Sequence, residues 1–213
     1  MSAVSPQIGS VREGVWLWVL CHRLGSMVNN LTMPDPSSDR DPALHSKAGC
    51  WDIMSDTFRA GSFLGWHRHK NGWLEPSRTL YINQCTSAWY VTLSPLSGGC
   101  GISMIVLPVD DPIRPSKVFV IELAPPVLGL HNNPQPAKGI LVYTVDATVR
   151  DQQSPLVIMP KTTTNNNEYG PLCEAAHDVG DDVSVVMGGV SLGVKVIQKI
   201  GDCYHISISY TRH

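Results

Sequence analysis

The sequence predicts an α+β protein, with a helical segment over residues 1–75 followed by an antiparallel β-sandwich-like unit over residues 76–213. Three observations carry this reading. Val11, Val15, Trp18 and His22 recur at three-to-four spacing and mark one helix face. From Thr79 onward the period changes, and short runs rich in β-branched residues replace the helical pattern. Turn-forming clusters separate those runs: Ser97-Gly98-Gly99, Asp110-Asp111-Pro112, Asn132-Asn133-Pro134 and Gly201-Asp202.

The elements follow in order. Ser10 with Glu13 three residues later forms a capping-box pattern at a helix start. Trp16, Leu20 and Met27 populate a further side of this helix, so it is apolar nearly all round and suited to burial. Trp18, His22 and Ser26 share one i, i+4 row. The polar stretch from Asp35 to Pro42 then breaks the helix. A second helix is expected over Ser62 to Lys70, stopping at Asn71-Gly72, with Phe63, Leu64, Trp66 and His67 packing back on the first. The cluster His67-Arg68-His69-Lys70 reads as a solvated helix face. The expected strands are Ala88–Leu93, Ile102–Leu107, Val118–Leu123, Ile140–Val145, Leu156–Met159, Val183–Met187, Val190–Ile197 and Tyr204–Tyr210.

Composition narrows the classes of function. An apolar fraction of 43% over 213 residues suits a globular chain with a sizeable core. A net charge of −2 gives no electrostatic footprint for nucleic acid, and no nucleic-acid partner is expected. No apolar run approaches the roughly 18 residues a bilayer span needs, so no membrane partner is expected either. The run Val15 to Cys21 follows Arg12-Glu13 and lacks a small-residue cleavage site, which argues against a signal-peptide core. The six Cys show no C-x-x-C spacing, arguing against a Cys-rich zinc site. Asp110-Asp111 and Asp178, Asp181 and Asp182 read as turn formers, since the spacing of a calcium-binding EF-hand loop is missing. His67 and His69, one residue apart, point to opposite sides of a helix and cannot chelate together.

Several motifs carry chemistry. His22-Arg23-Leu24-Gly25-Ser26 has the outline of the H-E-x-x-H zinc helix, in which two His hold the metal and the Glu takes a proton from bound water. Met33-Pro34-Asp35-Pro36 follows it. Then come Gly49-Cys50-Trp51-Asp52-Ile53-Met54-Ser55, Leu64-Gly65-Trp66-His67 with Asn71-Gly72-Trp73-Leu74, and Gly139-Ile140-Leu141-Val142-Tyr143-Thr144-Val145-Asp146. In this order the set resembles the immune-inhibitor-A-type family of secreted zinc metallopeptidases. That family shows H-E-[LF]-G-H, an L-P-D-x-Y-D segment, G-x-W-D-[LIV]-M, W-x-K-x-x-x-G-W-L, a G-[IVL]-L-[IV]-[YW]-x-[IV]-D strand, and a β-rich C-terminal unit.

The resemblance implies a zincin-like helical remnant ahead of the β-unit, zinc as cofactor, a peptide or protein substrate, and an extracellular location. It implies His22 and Asp35 as metal ligands, and Trp51 and Met54 as packing residues beneath the metal site. The departures matter equally. Arg23 stands at the Glu position and Ser26 at the second His position, and the family's N-terminal half-domain has no counterpart before the motif. A permanent cation beside a divalent metal repels it, and Ser is a neutral, weakly basic donor. Without the Glu no general base acts on the water. The expectation is a metallopeptidase-related protein, inactive in this form, with no catalytic residues. The alternatives are a β-sandwich binding module for protein or carbohydrate, favoured if Trp89, Tyr90 and Tyr143 cluster on one face, and a shortened version of an active secreted protease.

Overall fold

A computed structural model of the chain describes residues 48–49, 51–52, 62–98, 101–124, 139–149, 155–161 and 171–213. The expected first helix, His22, Asp35 and Met54 lie outside the described residues. What is described is mostly β, with one short helix, α1 (Gly65–Lys70). The expected helix was longer at its N-terminal end, and Leu64, in extended conformation, serves as the N-cap. The strands are β1 (Thr79–Tyr81), β2 (Thr86–Leu93), β3 (Met104–Pro108), β4 (Lys117–Leu123), β5 (Ile140–Asp146), β6 (Leu156–Ile158), β7 (Asp182–Met187), β8 (Val190–Ile200) and β9 (Cys203–Arg212).

They form two sheets. Sheet A has five strands in the order β1-β3-β4-β5-β6, and sheet B has four in the order β2-β9-β8-β7. All pairings are antiparallel except β1 with β3, which run parallel with Leu80 opposite Ile105. The expectation of a purely antiparallel unit is corrected at that pair, since β1 was too short to register as a run. Arg78 fixes this corner. Its guanidinium donates to Pro95 O (2.6 Å), Leu96 O (3.1 Å) and Ser103 Oγ, while its own carbonyl accepts from Ser103 N.

The burial patterns explain the strand sequences. β8 and β9 alternate buried and partly exposed residues, as strands with one wet face should. β3, β4 and β5 are buried almost throughout, because sheet A is covered on both faces. Ile105, Leu107, Phe119, Ile121, Ile140 and Val142 face sheet B, where Leu192, Val194, Ile206 and Ile208 meet them. Met104, Val106, Val118, Val120, Leu141 and Val145 face the opposite way and pack with Trp51, Leu64 and Leu172. Gly139 immediately precedes β5, where a Cβ would lie 2.5 Å from the carbonyl oxygen of His177, the bridge partner of Ile140.

Asp110 and Asp111 behave as turn formers. Asp110 Oδ1 accepts from Ser116 N (3.0 Å) and Lys117 N (3.2 Å), and Asp111 Oδ1 from Ile113 N (2.7 Å). Asp181 likewise accepts from Asp178 N (2.8 Å).

Truncating Ile121, fully buried between the sheets, to Ala should cost about 2–5 kcal/mol. Val186→Ala on the exposed face of β7 should stay within about 0.5 kcal/mol. Urea midpoints of the two variants check this, and equal losses would refute the two-layer burial of sheet A.

Candidate functional site

The first turn of α1 needs partners for its free amides, because no side chain of its own caps it. Each of three consecutive amides finds one from a different chain segment. Leu64 N donates to Asp52 Oδ2 (2.9 Å), Gly65 N to Glu122 Oε2 (2.8 Å), and Trp66 N to the Tyr143 hydroxyl (3.2 Å). That hydroxyl in turn donates to Glu122 Oε2 (2.9 Å). His67 Nδ1 lies 2.7 Å from Asp52 Oδ2, so the ring N–H donates to the carboxylate. Glu122 and Tyr143 come from the middle strands of sheet A, on its α1-facing side. Asp52 arrives beside Trp51, whose indole N–H donates to Leu172 O.

Gly65 is required here for space. A Cβ on it would sit 2.3 Å from Glu122 Oε2 and drive the carboxyl away. Glu122 Oε1, by contrast, is buried without a hydrogen-bond partner.

Asp52, Glu122 and Tyr143 are wholly buried and His67 is 1% exposed, and this burial governs the ionisation of Glu122, Tyr143 and His67. Burial pushes the Glu122 carboxyl up to about 8; the Asp52 charge adds to the rise, against the bonds from Gly65 and Tyr143. For His67, burial lowers the value, but the charge and hydrogen bond of Asp52, with Glu122 behind it, raise it overall. Burial and the neighbouring Glu122 hold the Tyr143 phenol well above its ordinary range. Burial thus favours the neutral acid at Glu122, while the Asp52 partner favours the imidazolium at His67. Two donors occupy Oε2, so the acid proton of Glu122 belongs on Oε1.

Such a network positions backbone, and its four side chains are buried. None of its four side chains lines the open depression of roughly 200 Å³ bordered by Pro95, Ser97, Leu123, Lys199, Asp202 and Tyr204. His177, a further buried imidazole, is pushed down to about 4 by burial and by Lys161, and its ring Nε2 has no partner.

No family model, curated protein or solved structure matches the chain. The residues themselves must carry the functional reading. Among the described residues no three His, Cys, Asp or Glu side chains group to hold a metal ion. That finding does not reach His22 and Asp35. Among the described residues, too, no helix is long and apolar enough to cross a membrane.

One sequence expectation is corrected, and the aromatic clustering set as a condition for a binding module is not met. His67 is a buried ion-pair partner and no part of a solvated basic face, whereas His69 turns outward and meets the Tyr81 hydroxyl at 2.8 Å. The two imidazoles thus diverge, as their spacing requires. Tyr143 is buried, so it joins no surface aromatic cluster. Trp89 and Tyr90 are both exposed, but as strand neighbours they point to opposite faces of sheet B. Trp51 is 1% exposed, in keeping with a packing role.

The network makes a coupled prediction. Gly65→Ala and Tyr143→Phe should each destabilise the protein by about 1–3 kcal/mol, since both leave buried polar groups unpaired. They act on the same Oε2 atom, so the double variant should lose less than the sum. Strict additivity in a double-mutant cycle of urea unfolding would show that the two contacts are independent.

Proposed function

We propose that this chain is a metallopeptidase-related protein whose described part is a supporting platform rather than a peptide-cleaving centre. One observation carries the reading. Three motifs that resemble the immune-inhibitor-A-type family, scattered along the sequence, meet in one buried hydrogen-bonded unit. Asp52 of the Trp-Asp motif holds Leu64 and His67 of the Leu-Gly-Trp-His motif, and Tyr143 of the Gly139–Asp146 motif holds Trp66.

On this reading the ancestral activity is zinc-dependent peptide hydrolysis outside the cell, and the zinc-helix motif at 22–26 is degenerate. The donors left to this chain do not fit a catalytic zinc site. His22 and Asp35 supply two of the roughly three protein ligands such a site uses, Ser26 supplies a weak one, and Arg23 opposes the metal charge. No hydrolytic step is assigned to them.

A second reading has one observation in its favour. The Tyr90 ring, 65% exposed, stacks on His205 with ring planes 15° apart on the outer face of sheet B. A binding module for protein or carbohydrate would use such a platform.

Purified protein titrated with zinc against a chromophoric chelator should bind no more tightly than micromolar, and should leave casein intact. Stoichiometric, tightly held zinc with chelator-sensitive casein cleavage would overturn the proposal. If neither appears, Arg23→Glu combined with Ser26→His asks whether the lost donors alone account for the silence.

A further inference from the structure

The open depression lies where the β8–β9 turn faces the end of β4 and the chain entering β5. It holds two opposite charges that the described fold leaves without an ionic partner. We propose that this depression binds a small zwitterion, an α-amino acid with an apolar side chain, its carboxylate on Lys199 and its ammonium on Asp202. The inference rests on the described geometry and is independent of any kinship with peptidases.

An irregularity in β8 turns Lys199 toward the site. Val190, Leu192, Val194 and Val196 are buried, so plain alternation would put residue 199 on the wet face. The register with β9 instead takes up one extra residue between Val196 and Gln198. Val196 lies opposite Ile206, but Gln198 lies opposite His205 and Lys199 opposite Tyr204, which is buried between the sheets. Opposed residues of an antiparallel pair share a face, so the bulge carries Lys199 inward. Its ammonium sits 5.5 Å from the centre of the Tyr204 ring.

Asp202 stands apart for a separate reason. Asp110, Asp111, Asp146, Asp178 and Asp181 each accept a backbone N–H at their turns. The Asp202 carboxylate, in the turn between β8 and β9, accepts no hydrogen bond among the described residues. Lys117, Lys161 and Lys195 each pair with an aspartate, whereas Lys199 and Asp202 border one hollow without pairing.

The walls define the rest of the ligand. Pro95 and Leu123 offer apolar surface, and Ser97 a hydroxyl. The Pro95 side is preformed: Gly98 N closes a turn on Pro95 O (2.9 Å), and Arg78 holds Pro95 O and Leu96 O. The roughly 200 Å³ of space replaces about seven waters at ~30 Å³ each. That suits a ligand of amino-acid size and is too little for a drug-sized one. A simple anion would face the Asp202 charge and a simple cation the Lys199 charge, so a ligand carrying both signs fits best.

NMR titration of the full, isotope-labelled chain with L-leucine tests the site. Saturable amide shifts, millimolar or tighter, should centre on Ser97, Asp202 and Tyr204, and Val186 at the other end of sheet B should not move. Isocaproate, which lacks the ammonium, and isoamylamine, which lacks the carboxylate, should each bind about tenfold more weakly. Lys199→Gln should weaken L-leucine about tenfold without weakening isoamylamine, and Asp202→Asn should do the same without weakening isocaproate. The proposal is overturned if L-leucine gives no saturable shifts, or if the shifts centre elsewhere. It is equally overturned if either analogue binds as tightly as L-leucine, or if either variant binds L-leucine as the unaltered chain does. Should a variant not fold, the three ligands on the unaltered chain decide by the same comparison.

Discussion

Sheet A has no face turned to water, and most of the architecture answers to that fact. Its strands are covered by sheet B on one side and by Trp51, Leu64 and Leu172 on the other. A polar group placed on such a sheet must find its partners inside the protein. Glu122 and Tyr143 are two such groups, and the unpaired amides of a short helix are what the interior has to offer. The helix needs acceptors and the sheet needs donors, and each requirement meets the other. The glycine at 65 follows from the same condition, since only a residue without Cβ lets backbone approach a carboxylate so closely.

Much of the β-unit can be read from the sequence because side-chain period is a direct record of burial. Val190 to Val196 and Tyr204 to Tyr210 alternate, and both are strands with one wet face. Met104 to Leu107 and Ile140 to Val145 do not alternate, which reports burial on both sides but cannot name the covering layers. β1 escaped notice because three residues carry no period, and its parallel pairing depends on Arg78 contacts distant in sequence. The N-terminal extension expected for α1 over residues 62–64 failed for a local reason. Leu64 takes an extended conformation, and its amide is claimed by Asp52.

The candidate site was far less legible. His22 and Asp35 drew attention through a motif outline, whereas Asp52, Glu122 and Tyr143 lie on three separate segments whose meeting no spacing rule encodes. A faint signal existed. Glu122 interrupts the otherwise apolar run Val118–Leu123, and a carboxyl in such a run is either an error of assignment or a buried group with a purpose. His67 misled for the opposite reason: three basic neighbours suggested solvent, while the helix turn that points His69 outward must point His67 inward.

The order of strands in sheet B has a consequence for how the molecule comes together. β9, the last described strand, lies between β2 and β8, so among the described strands β2 pairs with β9 alone, apart from a single bridge from Leu93 to Ile102. Pairing of Trp89 with Ile208 joins segments far apart along the chain. Until β9 is in place, β2 carries Trp89, Tyr90, Val91 and Leu93 with one edge unpaired and the other held only at the Leu93–Ile102 bridge. Chains of this connectivity fold slowly, because distant closure comes before any reward from contact. During that wait β2 is also the stretch most open to pairing with the wrong molecule. Crowded synthesis of this protein therefore puts its hazard in a strand that, once folded, lies quietly at the rim of a sheet.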